Sequence, residues 1–233
     1  MTQPYAYPLR VICSEAAIVG ESPVWSAREQ ALYWVDILKP ALYRFDPASG
    51  QHQSWPAPAA IGSISLAKNG KIVAALRTGF HCFDPKNASW TLIAHPESHI
   101  AHNRLNDGKT GPDGAFWAGT MDDRPNKEAC ASLYRLAPDG SISWHGNDLV
   151  VSNGLAWSPD GRTMYHSDSR KAVIYRYDFD VASGKLGARE IFVSMQAEWG
   201  RPDGGAIDID GCYWGCGIGA GRINQFSSQG ELL

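Results

Sequence analysis

Four residues with oxygen-bearing side chains, Glu21, Asn106, Asn153 and Asp203, stand at equivalent places in a repeated sequence pattern. Each lies 11 to 13 residues ahead of the residue that anchors its repeat, and Gly62 takes that place in the remaining repeat. Turn propensity explains a single asparagine or aspartate, but glutamate has little preference for turns. Carboxylate and amide oxygens that converge without cysteine or a histidine cluster suit a hard divalent cation. We therefore interpret Asn153, although it belongs to an Asn-Gly turn signal, as a ligand.

The repeat that positions these residues is a turn followed by a strand. Its anchors are 39, 44, 48 and 49 residues apart, at Trp34, Val73, Trp117, Tyr165 and Trp214. Short β-branched and aromatic runs separated by Gly, Pro, Asn and Asp clusters predict strands throughout. Repeats of this length with about four strands each are typical of β-propeller blades. The sequence predicts an all-β propeller with five blades, in which the first strand of each blade lines a central channel.

The two ends of the sequence bear on how the ring closes. The segment "LRVICSEAAIV", residues 9–19, is predicted to be an additional strand that completes the last blade. The sequence ends just after a strand of the fifth blade, "RINQFSSQG". We therefore expect a single propeller domain over residues 1–233, which is either a ring that lacks its last blade or a closed ring of five blades.

Composition excludes several classes of partner. Lys plus Arg is 21 and Asp plus Glu is 24, a net charge of −3 without a basic stripe, so nucleic acid is not expected to bind. The N-terminus lacks the pattern of a signal peptide and no run of 18 apolar residues occurs, which predicts a cytoplasmic protein that does not bind membranes. Five scattered cysteines indicate free thiols in a reducing compartment. Nothing in the sequence indicates an obligate protein partner.

Four motifs in order carry a resemblance to a known family: "GESPVW", "HNRLNDGKTGPDGAFWAGTM", "VSNGLAWSPDG" and "RPDGGAIDIDGCYW". They resemble the motifs of the sugar lactonase family that contains gluconolactonase and regucalcin (senescence marker protein). The resemblance runs from about residue 15 to the end. It implies a six-bladed propeller with one divalent ion, so that five of the six blades are present here.

The same resemblance implies roles for individual residues. Glu21, Asn153 and Asp203 would be the protein ligands of the ion, and Asp203 would also be the catalytic base. Arg104 and Asn106 would contact the hydroxyls or the ring oxygen of the lactone. Members of the family often have a glutamate shortly after the "AGTM" phrase, whereas this sequence continues with "DDRPNKE".

The predicted activity is the metal-dependent hydrolysis of an aldonolactone, such as gluconolactone or a pentonolactone, to its sugar acid. The ion would be Ca, Zn, Mg or Mn, and the partner would be the small-molecule lactone. Asp203 would accept the proton of the attacking water, and Arg104 would supply a fixed, always protonated donor fork. The alternative function is a non-catalytic, calcium-binding regulatory propeller that uses the same ligands.

Overall fold

The computed structural model describes residues 11–14 and 16–233, and these form five antiparallel sheets. The first sheet contains β1 (Gly20–Ser26), β2 (Ala31–Asp36), β3 (Ala41–Phe45) and β4 (His52–Pro56). The second contains β5 (Ile61–Leu66), β6 (Ile72–Leu76), β7 (Gly79–Asp84) and β8 (Ser89–Ala94). The third contains β9 (Asn103–Thr110), β10 (Phe116–Asp122), β11 (Leu133–Leu136) and β12 (Ile142–Trp144). The fourth contains β13 (Ser152–Trp157), β14 (Thr163–Asp168), β15 (Val173–Asp180), β16 (Lys185–Leu186) and β17 (Glu190–Ser194). The fifth contains β18 (Arg201–Ile207), β19 (Tyr213–Ile218) and β20 (Arg222–Phe226).

Each sheet is a propeller blade that follows chain order from its first strand outward. The first strands β1, β5, β9, β13 and β18 pack side by side from one blade to the next. All five anchors of the sequence repeat lie in the second strand of their blade. The predicted all-β propeller with five blades is therefore confirmed. The fourth blade differs from the expected four strands, because both β16 and β17 pair with β15.

The core consists of four apolar layers, one between each pair of consecutive blades. Successive side chains of a strand point to opposite faces of its sheet, so one strand supplies both of its neighbouring layers. In β10, for example, Trp117 packs in the layer toward the fourth blade, while Phe116 and Ala118 pack in the layer toward the second. Trp117 has no exposed surface. Blade-to-blade packing thus fixes how the first strands stand around the channel.

A buried aspartate at the end of the second strand fastens the chain that enters its blade. The carboxylate of Asp36 accepts hydrogen bonds from the N–H groups of Ile18 and Val19 at 2.7 and 3.1 Å. Asp168 does the same for Val150 and Val151 at 2.8 and 3.3 Å. Burial raises the pKa of Asp36, but its backbone hydrogen bonds outweigh burial and lower the pKa overall.

The prediction of an N-terminal strand is wrong for those of its residues that the structure describes. Residues 11–14 and 16–19 form no strand, and residues 9, 10 and 15 lie outside the described part of the chain. The N–H groups of Ile18 and Val19 donate to the carboxylate of Asp36 instead of to a neighbouring strand. Regular pairing in the first blade begins at Gly20.

Helix is nearly missing from the described residues, whose helical structure is one short 3-10 turn at Ala197–Trp199. No helix within residues 11–14 and 16–233 has the length and apolar character to cross a membrane.

Candidate active site

The pairing of every first strand with its second strand is interrupted at the place that the sequence repeat predicted. The register shifts in β1 between Glu21 and Val24, in β13 between Asn153 and Ala156, and in β18 between Pro202 and Gly205. Equivalent shifts occur in β5 around Gly62 and in β9 around Asn106. A β-bulge turns side chains out of the regular alternation, which is why bulges occur next to active sites. The common register of the five positions is confirmed.

Two glycines in these bulges, Gly62 and Gly154, leave no room for a side chain. A Cβ atom on Gly62 would lie 2.4 Å from the backbone oxygen of Asn106, so the second blade brings its backbone close to the third instead of supplying a donor. Gly154, with φ of +62°, is the residue that follows Asn153 in the bulge. A Cβ atom there would lie 2.3 Å from the hydroxyl of Tyr213, which donates to the Gly154 carbonyl. The Asn-Gly pair is therefore part of a bulge and not of a hairpin turn.

A cavity of about 740 Å³ opens where the first strands of the first, third and fifth blades face one another. Glu21, Asp107, Lys109 and Asp203 line it, together with apolar side chains that include Trp25 and Trp214. Thus two of the predicted ligands, Glu21 and Asp203, share one cavity. Asn106, Asn153 and Arg104 are buried, with 8, 6 and 9% of their surface exposed.

The predicted residues from the third and fourth blades are joined by hydrogen bonds. Arg104 Nη1 donates to Asn106 Oδ1 at 2.8 Å, and Asn106 Nδ2 donates to Asn153 Oδ1 at 3.1 Å. Asn153 Nδ2 then donates to Ser169 Oγ at 2.7 Å, and that hydroxyl donates to the carbonyl of Pro202 at 2.6 Å. This series of hydrogen bonds ends at Pro202, the residue before Asp203. It therefore connects the predicted substrate contacts to the predicted ligands.

Glu21, Asp107 and Asp203 form an acidic cluster, and each of the three has a raised pKa. Burial raises the pKa of Glu21 to about 7, with further contributions from the charges of Asp203 and Asp107. Burial likewise raises the pKa of Asp203. For Asp107 burial is again the largest cause, the charge of Asp203 adds to it, and Lys109 opposes it. Burial is thus the largest cause for all three groups, and the charge of Asp203 adds to it for Glu21 and Asp107, so a positive charge beside the cluster would favour the ionised carboxylates.

Asp107 is the site residue that sequence reasoning missed. Its carboxylate accepts hydrogen bonds from the N–H groups of Gly108 at 2.9 Å and Leu155 at 3.3 Å, the latter in the neighbouring blade. Lys109 Nζ donates to the carbonyl of Gly205 at 2.6 Å and therefore ties the third blade to the fifth. In the sequence, the signal for Asp107 is a carboxylate directly next to Asn106 in the phrase "NDGK".

Asp123, which belongs to the phrase "DDRPNKE" after "AGTM", lies beside Arg104. Arg104 Nε approaches Asp123 Oδ1 at 3.4 Å, and Arg77 forms an ion pair with the other carboxylate oxygen. Burial lowers the pKa of Arg104, while the charge of Asp123 raises it. A carboxylate thus lies beside the predicted substrate-binding arginine, on a side chain shorter than glutamate by one methylene.

A second group of side chains with metal-binding atoms lies nearby. The ligand atoms of His102, Asp122 and Cys130 are all within 4.8 Å of one another. The carboxylate of Asp122, however, accepts from Arg124 Nη2 at 2.8 Å, from Arg124 Nε and from the N–H of Glu128 at 2.7 Å. The bonds from Arg124 keep the pKa of Asp122 far below its ordinary value. This carboxylate serves to fasten the loop after β10 and does not match the predicted set of oxygen ligands.

A family model described as SMP-30/Gluconolactonase/LRE-like region matches residues 19–233. The chain belongs to this family. It is 37% identical over 226 residues to 6-deoxy-6-sulfogluconolactonase of Pseudomonas putida, with 97% of this chain and 77% of the relative covered. It is also 37% identical to regucalcin of Gallus gallus, with 95% and 75% covered. The chain therefore spans about three quarters of the length of these relatives.

Solved structures of family relatives share the fold. A calcium-binding protein, regucalcin, from Agrobacterium tumefaciens is similar with a TM-score of 0.90 at 28% identity, covering 96% of this chain and 76% of that one. A gluconolactonase from Xanthomonas campestris is similar with a TM-score of 0.78 at 26% identity, covering 93% and 75%. The resemblance inferred from the four motifs is confirmed.

We call Glu21, Asn153 and Asp203 the channel site. Their side chains suit a hard divalent cation. Glu21 and Asp203 offer carboxylate oxygens, and Asn153 offers an amide oxygen that accepts one hydrogen bond and keeps a second lone pair. Asp107 adds a third carboxylate, and burial raises the pKa of all three groups, so their negative charge is costly without further cations. A hard cation with oxygen ligands would balance it.

Proposed function

We propose that the protein is a lactonase that hydrolyses a sugar lactone, an aldonolactone, to the sugar acid with the help of one divalent ion. The observation that carries the proposal is the convergence of Glu21 and Asp203 on one cavity, with Asp203 connected through Pro202 and Ser169 to Asn153, Asn106 and Arg104. Membership in a family with relatives named 6-deoxy-6-sulfogluconolactonase and gluconolactonase supports the reaction class.

Glu21, Asn153 and Asp203 would hold the ion. Calcium agrees with the name of the relative from Agrobacterium tumefaciens, and Zn, Mg and Mn are the alternatives that the same oxygen donors accept. When bound there, a divalent ion would neutralise the acidic cluster and polarise the lactone carbonyl.

Asp203 acts as general base in this proposal. The oxygen of a water bonds to the lactone carbonyl carbon while Asp203 accepts the proton that the water loses. The bond between that carbon and the ring oxygen then breaks, and Asp203 returns the proton to the ring oxygen, which becomes the new hydroxyl of the acid. Burial raises the pKa of Asp203, whereas an ion bound beside it would lower that pKa, so the placement of Asp203 next to the attacking water matters more than its base strength.

Arg104 and Asn106 orient the lactone. Arg104 is held by Asp123 through Nε and by Leu105 and Asn106 through Nη1, and within the described residues Nη2 makes no hydrogen bond. That nitrogen is available to a sugar hydroxyl or to the developing oxyanion, and a guanidinium stays protonated in either case. Fixing the arginine in advance spares the substrate the entropic cost of ordering it.

The alternative function is that of a non-catalytic, calcium-binding regulatory propeller. It is favoured by the relatives named regucalcin, one of them a calcium-binding protein of known structure. The ligands would be the same in both functions, so the two differ in turnover and not in ion binding.

A pH-stat assay that records acid release from a panel of aldonolactones, each with Ca, Mg, Mn and Zn, separates the two functions. We expect release from at least one lactone, and a loss of about 10²-fold in Glu21→Gln, since positioned groups of this kind contribute factors of that order. Asp210→Asn, an exposed change in the same blade as Asp203, is the control and should keep the rate. A folded protein that binds calcium but releases no acid from any lactone would support the regulatory function instead.

A further inference from the structure

Arg77, Arg104 and Lys127 form a cationic cluster beside the channel site. Arg77 lies in the turn between β6 and β7, Arg104 in β9 and Lys127 in the loop after β10. Both arginines approach the carboxylate of Asp123, and Lys127 Nζ donates to the backbone carbonyl of Asp122 at 2.5 Å. The cluster thus gathers cations from two blades around one carboxylate.

The cationic side chains of this cluster outnumber the carboxylate that pairs with them. The carboxylate of Asp122 is occupied by the fork of Arg124, so Asp123 is the carboxylate that forms ion pairs with the two arginines, and Glu21 acts on Arg104 through its charge. The charge of Arg77 works with burial to lower the pKa of Arg104. Burial lowers the pKa of Lys127, with Arg104 and Arg170 acting in the same direction against Asp123 and Asp122. An additional anion would relieve this repulsion.

Arg104 connects the cationic cluster to the acidic cluster. It lies close enough to Glu21 for each charge to shift the pKa of the other, and it is also paired with Asp123. Its hydrogen bond to Asn106 continues to Asn153. A molecule that binds Arg104 therefore lies beside Arg77, because both guanidinium groups contact the carboxylate of Asp123. The side chain of Arg77 is 39% exposed, so its guanidinium is accessible.

We propose that the preferred lactone carries an anionic group, a phosphate, sulfonate or carboxylate, at the end remote from its reacting carbonyl, and that Arg77 and Lys127 bind this group. The inference rests on the proposed lactonase function and names the substrate class. Arg77 would exchange part of its contact with Asp123 for a charged oxygen of the substrate, and a guanidinium fork matches such planar or tetrahedral anions. Lys127 would add a point charge.

The test compares kcat/KM for neutral glucono-1,5-lactone with kcat/KM for the same lactone bearing phosphate, sulfonate or carboxylate at C6. The three anionic arms identify the group that the cluster fits. We expect at least one anionic lactone to be preferred about 10-fold or more, and Arg77→Gln to lower that preference about 10-fold, mainly through KM, as for loss of one partly exposed charge-assisted contact. Arg77→Lys should keep part of the preference because it keeps the charge.

Arg176→Gln is the matched control. Arg176 also pairs with a carboxylate, that of Glu190, and its side chain is 44% exposed, but it lies in β15 away from the channel. Its replacement should leave the ratio of the two kcat/KM values unchanged. In the wild type, the KM of the anionic lactone should rise with ionic strength more than that of the neutral one, a measurement that does not depend on any variant folding.

Efficient hydrolysis of the neutral lactone with no preference for any anionic one, or a preference insensitive both to salt and to Arg77→Gln, would overturn the inference and leave the lactonase function standing. Hydrolysis of none of the four lactones would overturn the proposed function itself.

Discussion

Asp203→Asn should make the protein more stable without metal and much less active with it. Asp203 contributes to the raised pKa of both Glu21 and Asp107, so its charge destabilises the metal-free fold. The pKa of Glu21 rises from 4.5 to about 7, which corresponds to about 3 kcal/mol for keeping this partly buried group ionised. Burial is the largest cause, and we assign about 1 kcal/mol to Asp203 after allowing for solvent screening.

The sign of this effect depends on pH. Because the folded pKa of Glu21 lies above its unfolded value, the contribution of Glu21 to wild-type stability falls as pH rises from 4.5 to 7. Asp203→Asn should therefore unfold with a free energy about 1 kcal/mol higher than wild type at pH 8, and with little difference at pH 4. Saturating divalent ion should reverse the order, since the variant loses a charged ligand and so gains less stability from binding.

The assay is denaturant unfolding in chelator at pH 4 and pH 8, repeated with Ca²⁺, alongside acid release from a lactone. We expect the rate of Asp203→Asn to fall about 10²-fold or more, which is typical for loss of a positioned general base. Asp210→Asn, an exposed change in the hairpin after β18, should stay within about 0.5 kcal/mol of wild type. Equal destabilisation by Asp203→Asn at both pH values would refute the reasoning, because Asp203 would then be a structural residue.

Two further predictions concern Asp107 and His166. Asp107→Asn should weaken divalent-ion affinity about 10-fold, measured by calorimetric titration, because the acidic cluster loses one of its three charges; unchanged affinity would place Asp107 outside the site. His166, buried with its Nε2 2.7 Å from Ser152 Oγ, has its pKa lowered to about 3 by burial and by Arg189. The contribution of His166 to the unfolding free energy should therefore fall as pH drops below 6.5, by up to about 1.4 kcal/mol per pH unit, and His166→Gln should remove this contribution between pH 6.5 and 5; identical slopes in the two proteins would contradict the assignment.

The fold followed from the sequence because a propeller repeats one local pattern. Each blade needs the same turn, the same anchor in its second strand and the same register in its first, so Trp117 and Tyr165 could be matched from spacing alone. The predicted register of Glu21, Asn153 and Asp203 coincides with the bulges for the same reason.

What the sequence did not predict depends on contacts between distant segments. Adjacent side chains of a regular strand point to opposite faces of the sheet. The bulge in β9 changes this alternation, and in the resulting arrangement Asp107 lines the cavity while Asn106 bonds to Asn153. The segment before Gly20 has the composition of a strand, but whether it pairs is decided by the edges available and by Asp36. The ion pairs between Asp123 and its two arginines join residues up to 46 positions apart, which spacing within one motif does not reveal.

The central claim is that one ion held by Glu21, Asn153 and Asp203 is required for lactone hydrolysis. The most direct measurement titrates Ca²⁺ into protein freed of metal by exhaustive chelation and records bound ion and acid release in the same samples. We predict that activity rises in proportion to occupancy, reaches its maximum at one ion per chain, and is lost with tight binding in Glu21→Gln. Full lactonase activity in the chelated protein, with no metal found by elemental analysis, would contradict the claim.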